Sequence, residues 1–362
     1  MTATSVPEAH AHRDVPGLCR RVDAVFDEFL EDKARTGADG HMPGEVIQVL
    51  RDFLIPGGKR LRPMLCVSGW QAGGGSDCPA LVIRVAAALE MVHAFALIHD
   101  DVMDRSEIRR GRPTIHRALA VHHADLNCRG ADQLGTSGAI LVGDLALAWS
   151  DELVHTAGLP AERLAAVLSV VDAMRTEVMV GQYLDVTSTP DARAGPGPAL
   201  TVIRYKTAKY TIERPLHIGA LLAGADGSVL DALSGFALPL GDAFQLRDDL
   251  LGVFGNPVTT GKPNLDDLRE GKCTVLVALA LRYADADERD ILCSLLGNPA
   301  LTEDGAERIR SVLHRTGAHT MVEEMLRKRQ SAAAHALDQA GFPAETTALL
   351  HQVAQRAVMR QS

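Results

Sequence analysis

The feature that most constrains this 362-residue sequence is an apolar segment that ends in closely spaced carboxylates. Residues 89–104 read LEMVHAFALIHDDVMD, and their apolar side chains recur at the spacing of a helix. On that helix Asp100 and Asp104 share one face, about 6 Å apart along the axis. Two bare carboxylates at this separation repel by roughly 3 kcal/mol at an effective dielectric constant of ~20. We therefore expect divalent cations there, and the arginines of the following RRGR indicate a phosphate-bearing ligand.

A second acidic pair occurs in a similar setting. Asp248 and Asp249 follow the apolar part of a predicted helix, in FQLRDDLLG. Two such helices in one bundle can face each other across a cavity and hold a metal–diphosphate cluster between them. Hard oxygen donors favour Mg²⁺. We find no CxxC or HExxH pattern that would predict a zinc site, and no GxxxxGK[ST] loop that would predict a nucleotide site.

Basic residues near Gly or Pro breaks, or near an acidic motif, are the candidate diphosphate ligands. Arg offers phosphate a fork of donors, and Lys acts as a mobile point charge. His93 lies two helical turns before Asp100 on the same face, and is either a ligand or a core histidine. His122, His123 and Cys128 are interpreted as loop residues rather than a zinc site. The basic candidates are Lys59 with Arg62, Arg109 with Arg110, Lys206, and Lys262 with Lys272.

Composition favours a helical fold and argues against nucleic-acid binding. Hydrophobic residues make up 46% of the chain and aromatic residues only 4%, a balance that favours helices over strands. Period-3.6 patterns recur without convincing strands, and no linker divides the chain. We predict an all-α bundle, with residues 1–14 as a disordered tail and 15–362 as a single domain. The net charge of −9 disfavours a general nucleic-acid binder.

The order of helices and loops follows from these patterns and from Gly and Pro breaks. Polar segments at 122–137, 187–198 and 255–272 are predicted loops, and Pro215 predicts an irregularity within its helix. The predicted helices cover about 15–35, 44–54, 79–104, 139–155, 161–186, 200–223, 228–254 and 274–283, with about three more after them.

Cysteine spacing and hydropathy predict a cytoplasmic chain. The six cysteines are scattered, which indicates reduced thiols rather than a disulfide framework. The N-terminal residues show no basic region followed by an apolar one, so we expect no signal peptide. The most apolar stretch, 79–98, is interrupted by Arg84, Glu90 and His93. It is interpreted as a buried core helix rather than a membrane span.

Seven stretches between about Lys59 and Lys272 together resemble the trans-isoprenyl diphosphate synthases, the polyprenyl synthetase family, and among them bacterial geranylgeranyl diphosphate synthases. In chain order they read GGKRLRP, HAFALIHDDVMD, RRGRPT, GQYLD, YKTAKYT, FQLRDDLLGVFG and TGKPNLDDLREGK. The resemblance implies an all-α prenyltransferase fold around a deep cavity, usually in a homodimer. It implies condensation of isopentenyl diphosphate with an allylic diphosphate, with several Mg²⁺ ions per site and Mn²⁺ as an alternative.

The resemblance also implies roles for individual residues. The metal ligands would be Asp100, Asp104 and Asp248, with supporting carboxylates at Asp101, Asp185, Asp249 and Asp267. The allylic diphosphate would be held by Arg109, Lys206 and Lys262, and isopentenyl diphosphate by Lys59, Arg62, His93 and Arg110. Thr207 and Gln245 would flank the reacting carbon. Lys272 is a further substrate-binding candidate from the basic segments.

Two features bear on how far the resemblance reaches. The second acidic motif ends in Gly252, where the family usually has Asp. We expect activity to survive because Asp248 is the expected direct metal ligand, and we expect the affinity of the site for Mg²⁺ to be weaker.

Phe95 and Ala96, five and four residues before Asp100, would form the floor for the growing chain. This pair favours a C20 product, with C15 as the second choice and C25 less favoured.

Two other classes of protein share part of this pattern. A class I terpene cyclase also uses DDxxD and Mg²⁺, but it needs an NSE-type second motif, which FQLRDD disfavours. A non-catalytic subunit of a synthase heteromer would be expected to lose metal residues, and only Gly252 supports that hypothesis. A di-iron bundle would need ExxH pairs, and none is suitably placed.

Overall fold

The computed structural model describes residues 15–55, 60–189, 191, 193–255 and 265–358. Within these ranges the chain is almost entirely helical, as predicted. The first helices are α1 (Val15–Thr36), α2 (Gly44–Leu54), α3 (Leu61–Ala72), α4 (Ala80–Met103), α5 (Ile115–Asp125), α6 (Ala131–His155) and α7 (Ala161–Thr187). They are followed by α8 (Gly197–Val202), α9 (Arg214–Ala223), α10 (Gly227–Phe254), α11 (Asp266–Glu270), α12 (Val275–Tyr283), α13 (Ala286–Leu295), α14 (Glu303–Arg315), α15 (Ala318–Gln339) and α16 (Ala344–Val358).

Three short elements complete the described fold. A 3₁₀ turn covers Gly37–Gly40, and a π-helical segment, Ile203–Glu213, connects α8 to α9. Strands β1 (Ile108–Arg109) and β2 (Arg112–Pro113) form an antiparallel hairpin. Both residues of its turn have positive φ, Arg110 at 53° and Gly111 at 73°, as in the tight turns that suit a hairpin. Within the described residues, this hairpin is the exception to the prediction that the fold contains no strands.

The predicted loop at 122–137 is wrong at both ends. Helix α5 extends to Asp125, so His122 and His123 lie on a helix, and α6 begins at Ala131 rather than Ala139. The polar residues of both segments are largely exposed, so they mark the solvent face of two amphipathic helices and not a loop. Gly135, unfavourable in a helix, is required because a β-carbon there would lie 2.3 Å from the backbone oxygen of His116.

The predicted loop at 255–272 also needs correction. Residues 256–264 lie outside the described part of the chain, but Asp266–Glu270 form the short helix α11. The helix ends at Gly271, whose φ of 69° suits a glycine after a C-terminus. The predicted tail at 1–14 likewise lies outside the described residues.

The hydrophobic core consists of two clusters of buried side chains. One cluster is built around α4 and the other around α10. Helix α4 is long and apolar enough to span a membrane, with a mean hydropathy of 2.0, but 72% of its apolar window is buried inside the protein. Helix α4 is therefore a buried core helix, as Arg84, Glu90 and His93 within it predicted.

Candidate active site

A cavity of about 1520 Å³ opens between the acidic ends of α4 and α10. It brings together nearly every described residue that the sequence analysis singled out. The predicted residues in its wall are Arg62, His93, Phe95, Ala96, Asp100, Asp104, Arg109, Arg110, Asp185, Lys206, Thr207, Gln245, Asp248, Asp249, Asp267 and Lys272. Asp101 lies behind this wall, whereas Lys59 and Lys262 lie outside the described residues.

Asp100 is paired with a lysine from the π-helical segment. The Lys206 Nζ atom lies 3.1 Å from Oδ1 of Asp100 and 2.6 Å from Oδ2 of Asp185 on α7. Gln182 Nε2 also donates to Oδ1 of Asp100, at 3.0 Å. Burial raises the pKa of Asp100, but the positive charges of Lys206, Lys272 and a nearby arginine outweigh burial and hold it below its ordinary value.

Asp104 is paired with a second lysine, which follows the short helix α11. The Lys272 Nζ atom lies 3.1 Å from Oδ2 of Asp104, 2.8 Å from Oε2 of Glu270 and 3.8 Å from Oδ1 of Asp267. Burial and the negative charge of Asp100 raise the pKa of Asp104, although Lys272 opposes them. The pKa of Lys272 is well above its ordinary value because these carboxylates outweigh the effect of burial.

Each ammonium group therefore bridges carboxylates from different elements, as a bound cation would. Lys206 joins α4 to α7, and Lys272 joins α4 to α11 and the residues around it. In the described ranges no three Asp, Glu, His or Cys side chains form a ready-made metal cage. Mg²⁺ usually takes one or two carboxylates and completes its shell with water and phosphate oxygens. The all-oxygen donor set of this wall fits that ion.

Asp101 supports a cavity residue from behind. The residue is only 1% exposed, and Arg109 Nε lies 2.8 Å from both of its carboxylate oxygens. Arg109 Nη2 also lies 3.5 Å from Oδ2 of Asp100. A bidentate carboxylate pair fixes the plane of a guanidinium. Asp101 thereby holds Arg109 at the acidic end of the cavity.

Close packing explains why the GQYLD motif begins with glycine, Gly181. A β-carbon on Gly181, the first residue of GQYLD, would lie 2.4 Å from the backbone nitrogen of Lys206. Glycine at this position lets α7 approach the π-helical segment. That approach places Asp185 within reach of the Lys206 ammonium.

A similar contact joins α10 to the π-helical segment. A β-carbon on Gly241 would lie 2.4 Å from Cα of Ala208, so only glycine permits this approach. Next to the contact, Thr207 Oγ1 donates to Oε1 of Gln245 at 2.7 Å, and Gln245 Nε2 donates to Oδ1 of Asp249 at 2.8 Å. Burial raises the pKa of Asp249 to about 7, with Gln245 opposing it. The amide of Gln245 is thus fixed in the cavity wall.

Another part of the wall is basic. Arg62 Nη2 donates to Oγ1 of Thr211 at 2.6 Å, and its guanidinium carbon lies 4.4 Å from the ring centre of Tyr210. The Nε atom of Arg62 is buried and has no hydrogen-bond partner within the described residues. His93 Nδ1 lies 3.2 Å from the hydroxyl of Tyr210. Burial raises the pKa of Tyr210 to about 12, which keeps this hydroxyl protonated.

The charge balance of this basic region favours an anion. Burial lowers the pKa of His93 well below its ordinary value, and the neighbouring arginines lower it further, so its imidazole is neutral. Burial also lowers the pKa of Arg110, and nearby arginines add to this effect while Glu90 opposes it. No ion pair joins Arg110 to another described residue. Concentrated arginines with few carboxylates are a suitable site for diphosphate.

Apolar side chains line the cavity on the α4 side. Phe95 is 7% exposed and Ala96 follows it on the same wall. The ring of Phe95 meets that of His99 edge to face, with centroids 4.9 Å apart. His99 Nε2 is in turn 3.0 Å from the backbone oxygen of Ile140 on α6. Phe95 is therefore supported on one side and faces the cavity on the other.

Several polar or charged wall residues were not candidates from the sequence, among them Arg60, Gln182, Tyr210, Glu270 and Arg356. Arg60 adjoins the predicted Lys59, while Gln182 lies inside the quoted GQYLD motif. Tyr210 follows Lys206 by four residues, and this spacing was available as a clue to a shared face. Arg356 lies on the C-terminal helix, outside every quoted motif.

Comparison with known proteins identifies related sequences and structures. The family model described as polyprenyl synthetase matches residues 44–313. A geranylfarnesyl diphosphate synthase from Aeropyrum pernix is 34% identical over 274 residues, covering 75% of this chain and 80% of the relative. A geranylgeranyl diphosphate synthase from Sulfolobus acidocaldarius is 34% identical over 287 residues, covering 78% and 81%.

A solved structure is also similar over nearly the whole chain. It is a geranylgeranyl pyrophosphate synthase from Corynebacterium glutamicum, complexed with isoprenyl diphosphate and magnesium. The TM-score is 0.90 at 38% identity, covering 96% of this chain and 100% of that one.

Proposed function

The chain belongs to the polyprenyl synthetase family, and from that premise we propose that its cavity extends allylic diphosphates with isopentenyl diphosphate, in a Mg²⁺-dependent reaction that ends at a C20 all-trans product. One observation carries the proposal: two acidic helix ends and a separate arginine-rich region line the same cavity. The acidic part suits a metal-bound diphosphate, and the arginine-rich part suits a second diphosphate. A reaction between two diphosphates needs both.

The residues have separate tasks in this reaction. Bound Mg²⁺ would supply positive charge to the allylic diphosphate, held between Asp100, Asp104 and Asp248. Arg109, Lys206 and Lys262, with Lys272 as a further candidate, add donors that stabilise the departing diphosphate as the allylic C–O bond breaks. The basic candidates that hold isopentenyl diphosphate are Lys59, Arg62, His93 and Arg110. They direct the alkene of isopentenyl diphosphate at the allylic cation that C–O cleavage leaves, and a new C–C bond forms. The departed diphosphate accepts the proton whose loss restores an allylic diphosphate.

The lysines change partners in this account. Lys206 and Lys272 form ion pairs with Asp100 and Asp104. With Mg²⁺ and a diphosphate bound, Asp100 and Asp104 would hold the metal, and the ammonium groups of Lys206 and Lys272 would be free to donate to the diphosphate oxygens. The cavity thus avoids two unpaired carboxylates before substrate arrives, which would be costly in a partly buried site.

Phe95 and Ala96 are proposed to set the product length. The growing chain extends along the apolar wall of α4, away from the diphosphates. The Phe95 ring, backed by His99, blocks that path, which favours C20 over longer products. C15 is the second choice.

We also propose that the chain forms a homodimer. Large apolar side chains are exposed on the neighbouring helices α5 and α6: Val121, Leu126, Leu134, Ile140 and Leu141. Neighbouring exposed apolar residues of this kind indicate an interaction surface.

We further propose a cytoplasmic location. All six cysteines are free thiols, which supports this proposal.

The test of the function is the substrate requirement for release of inorganic pyrophosphate. We expect release only when Mg²⁺, isopentenyl diphosphate and an allylic diphosphate are all present, and none after chelation of the metal. Release from the allylic diphosphate alone would favour a class I cyclase. No release from any combination would favour a non-catalytic subunit.

A further inference from the structure

Tyr210 contacts two residues of the basic region of the cavity, His93 and Arg62. It comes from the π-helical segment, whereas His93 lies on α4 and Arg62 on α3, and it is only 3% exposed. Its hydroxyl lies 3.2 Å from Nδ1 of His93, and its ring centre lies 4.4 Å from the guanidinium carbon of Arg62. Tyr210 therefore meets two of the residues that are proposed to hold isopentenyl diphosphate.

The hydroxyl of Tyr210 is the donor in its contact with His93. Burial raises the pKa of Tyr210 to about 12, so the hydroxyl keeps its proton at neutral pH. A buried hydroxyl normally donates to an acceptor, and the guanidinium of Arg62 has no acceptor to offer. Among the described residues, the acceptor within hydrogen-bond distance of this hydroxyl is Nδ1 of His93. The proton of the hydroxyl is therefore directed at that nitrogen.

This hydrogen bond selects one tautomer of His93. Burial and the nearby arginines lower the pKa of His93 well below its ordinary value, so its imidazole is neutral. A neutral imidazole has one N–H donor, and its other nitrogen is an acceptor. Because Nδ1 accepts the hydrogen bond from Tyr210, Nε2 carries the hydrogen.

The Nε2 atom of His93 is the nitrogen that remains available to a substrate. His93 lines the cavity, and its Nε2 atom has no hydrogen-bond partner in the described part of the chain. An N–H at this position can donate to a diphosphate oxygen. The other tautomer would present a lone pair to the same anion and would repel it. The tautomer therefore decides whether His93 attracts a diphosphate.

We propose that Tyr210 is a positioning residue whose hydroxyl fixes His93 as the Nε2–H tautomer, the form that donates to the diphosphate of isopentenyl diphosphate. This inference rests on the proposed function, since it gives Tyr210 a task in the same cavity. Tyr210 acts through His93 and does not itself need to touch the substrate. Its ring also packs against the Arg62 guanidinium, a contact that phenylalanine would keep.

The first experiment measures binding of isopentenyl diphosphate by titration calorimetry in the presence of a chelator. Without Mg²⁺ the acidic part of the cavity has no cation to hold a diphosphate, so the titration reports the basic region without turnover. Tyr210→Phe keeps the ring and removes only the hydroxyl. Tyr283→Phe is the matched control, because Tyr283 is 55% exposed and does not line the cavity.

We expect Tyr210→Phe to weaken binding by about 10-fold, the size of effect that one hydrogen bond to a charged group has. Tyr283→Phe should bind as the wild type does. A Tyr210→Phe variant that binds as tightly as Tyr283→Phe would overturn the inference.

A second background separates the choice of tautomer from a general structural effect. The amide nitrogen of glutamine only donates, so His93→Gln provides a donor that has no tautomers. Tyr210→Phe should therefore cost much less affinity in the His93→Gln background than in the wild type. An equal loss in both backgrounds would indicate a structural effect and would overturn the inference.

The tautomer can also be observed in the unaltered protein, which keeps the inference testable if Tyr210→Phe does not fold. Long-range ¹H–¹⁵N NMR of the protein labelled with ¹⁵N-histidine separates protonated from unprotonated ring nitrogens, and the His93 signals are those missing from His93→Gln. We expect a protonated Nε2, and a protonated Nδ1 would overturn the inference. A wild-type protein with the expected tautomer that does not bind isopentenyl diphosphate would instead contradict the proposed function.

Discussion

At the scale of single residues, the cavity is organised by pairs that link different elements. Lys206 and Lys272 each bridge carboxylates that the sequence separates by many residues. Asp101 is adjacent to Asp100 but has a different task, because its oxygens bind Arg109 from behind the wall. Sequence spacing indicated which residues share a helix face. It did not indicate which partner each one meets across the cavity.

Asp248→Asn tests the metal assignment at the second motif. The variant keeps the size of the side chain and removes its charge. We expect kcat to fall by at least about 100-fold, as when one preorganised electrostatic contact is lost. We also expect the Mg²⁺ concentration that gives half of the maximal rate to rise. Steady-state rates at several Mg²⁺ concentrations measure both effects. Full activity of Asp248→Asn would refute this role, and Asp290→Asn is the matched control.

Phe95→Ala tests the floor of the cavity. Removing the ring opens the apolar wall, so the product should grow beyond C20. Mass spectrometry of the extracted products measures this length. Phe342→Ala removes a ring that packs against the core cluster around α10 and does not line the cavity. This control variant should leave the product length unchanged. An unchanged product from a folded Phe95→Ala variant would show that another residue forms the floor.

At the scale of elements, the π-helical segment was the least predictable feature. A helix over 200–223 with an irregularity at Pro215 was predicted, but the irregularity extends over Ile203–Glu213. Pro215 was a local clue because it cannot donate a backbone hydrogen bond. The rest depends on packing against Gly181 and Gly241, which no local pattern reports. The boundaries of helices α1, α2 and α10 followed well from the periodicity together with the Gly and Pro breaks.

Glu177→Gln tests how this segment is anchored to α7. Glu177 accepts a hydrogen bond from Lys209 at 2.6 Å and two from Arg214, at 2.8 and 2.6 Å. Burial raises the pKa of Glu177, but the hydrogen bonds from Arg214 and Lys209 outweigh burial and hold it below its ordinary value. At neutral pH we expect Glu177→Gln to lower the free energy of unfolding by about 1–3 kcal/mol.

The pH dependence of this loss has a definite sign. The lowered pKa means that Glu177 stabilises the fold fully above the pKa of an unfolded glutamate, about 4.3. That stabilisation is lost as the pH falls through the lower pKa of the folded state. The difference in the free energy of unfolding between the wild type and Glu177→Gln should therefore become smaller at acidic pH. Urea unfolding at several pH values measures it, with the exposed Glu162→Gln as control, and a gap independent of pH would contradict the account.

At the scale of the whole molecule, the sequence predicted the all-α class and the convergence of the described motifs on one cavity. It succeeded because each motif carries a charge requirement that only a shared site satisfies. The close approach of Gly252 and the Asp267 side chain was not predictable, because the two residues meet only through the packing of α10 and α11.

The apolar surface of α5 and α6 carries the prediction of a dimer. Leu141→Asp places a charge on a residue that is 63% exposed in one chain, and it should shift the molar mass in light scattering from twice the chain mass towards the monomer. Tyr283→Asp, on α12, alters an exposed apolar residue elsewhere and should leave the dimer intact. A monomeric wild-type protein, or a Leu141→Asp variant with unchanged mass, would contradict the proposal.

Product analysis of the purified protein is the decisive test of the proposed condensation and of its C20 endpoint. The protein would be incubated with Mg²⁺ and isopentenyl diphosphate, together with dimethylallyl, geranyl or farnesyl diphosphate in separate reactions. We predict a linear C20 diphosphate from all three, because each starter is extended until its chain meets Phe95. A C15 endpoint would keep the condensation and refute the assigned floor. A cyclic hydrocarbon from one allylic substrate, or no product from any of them, would contradict the account.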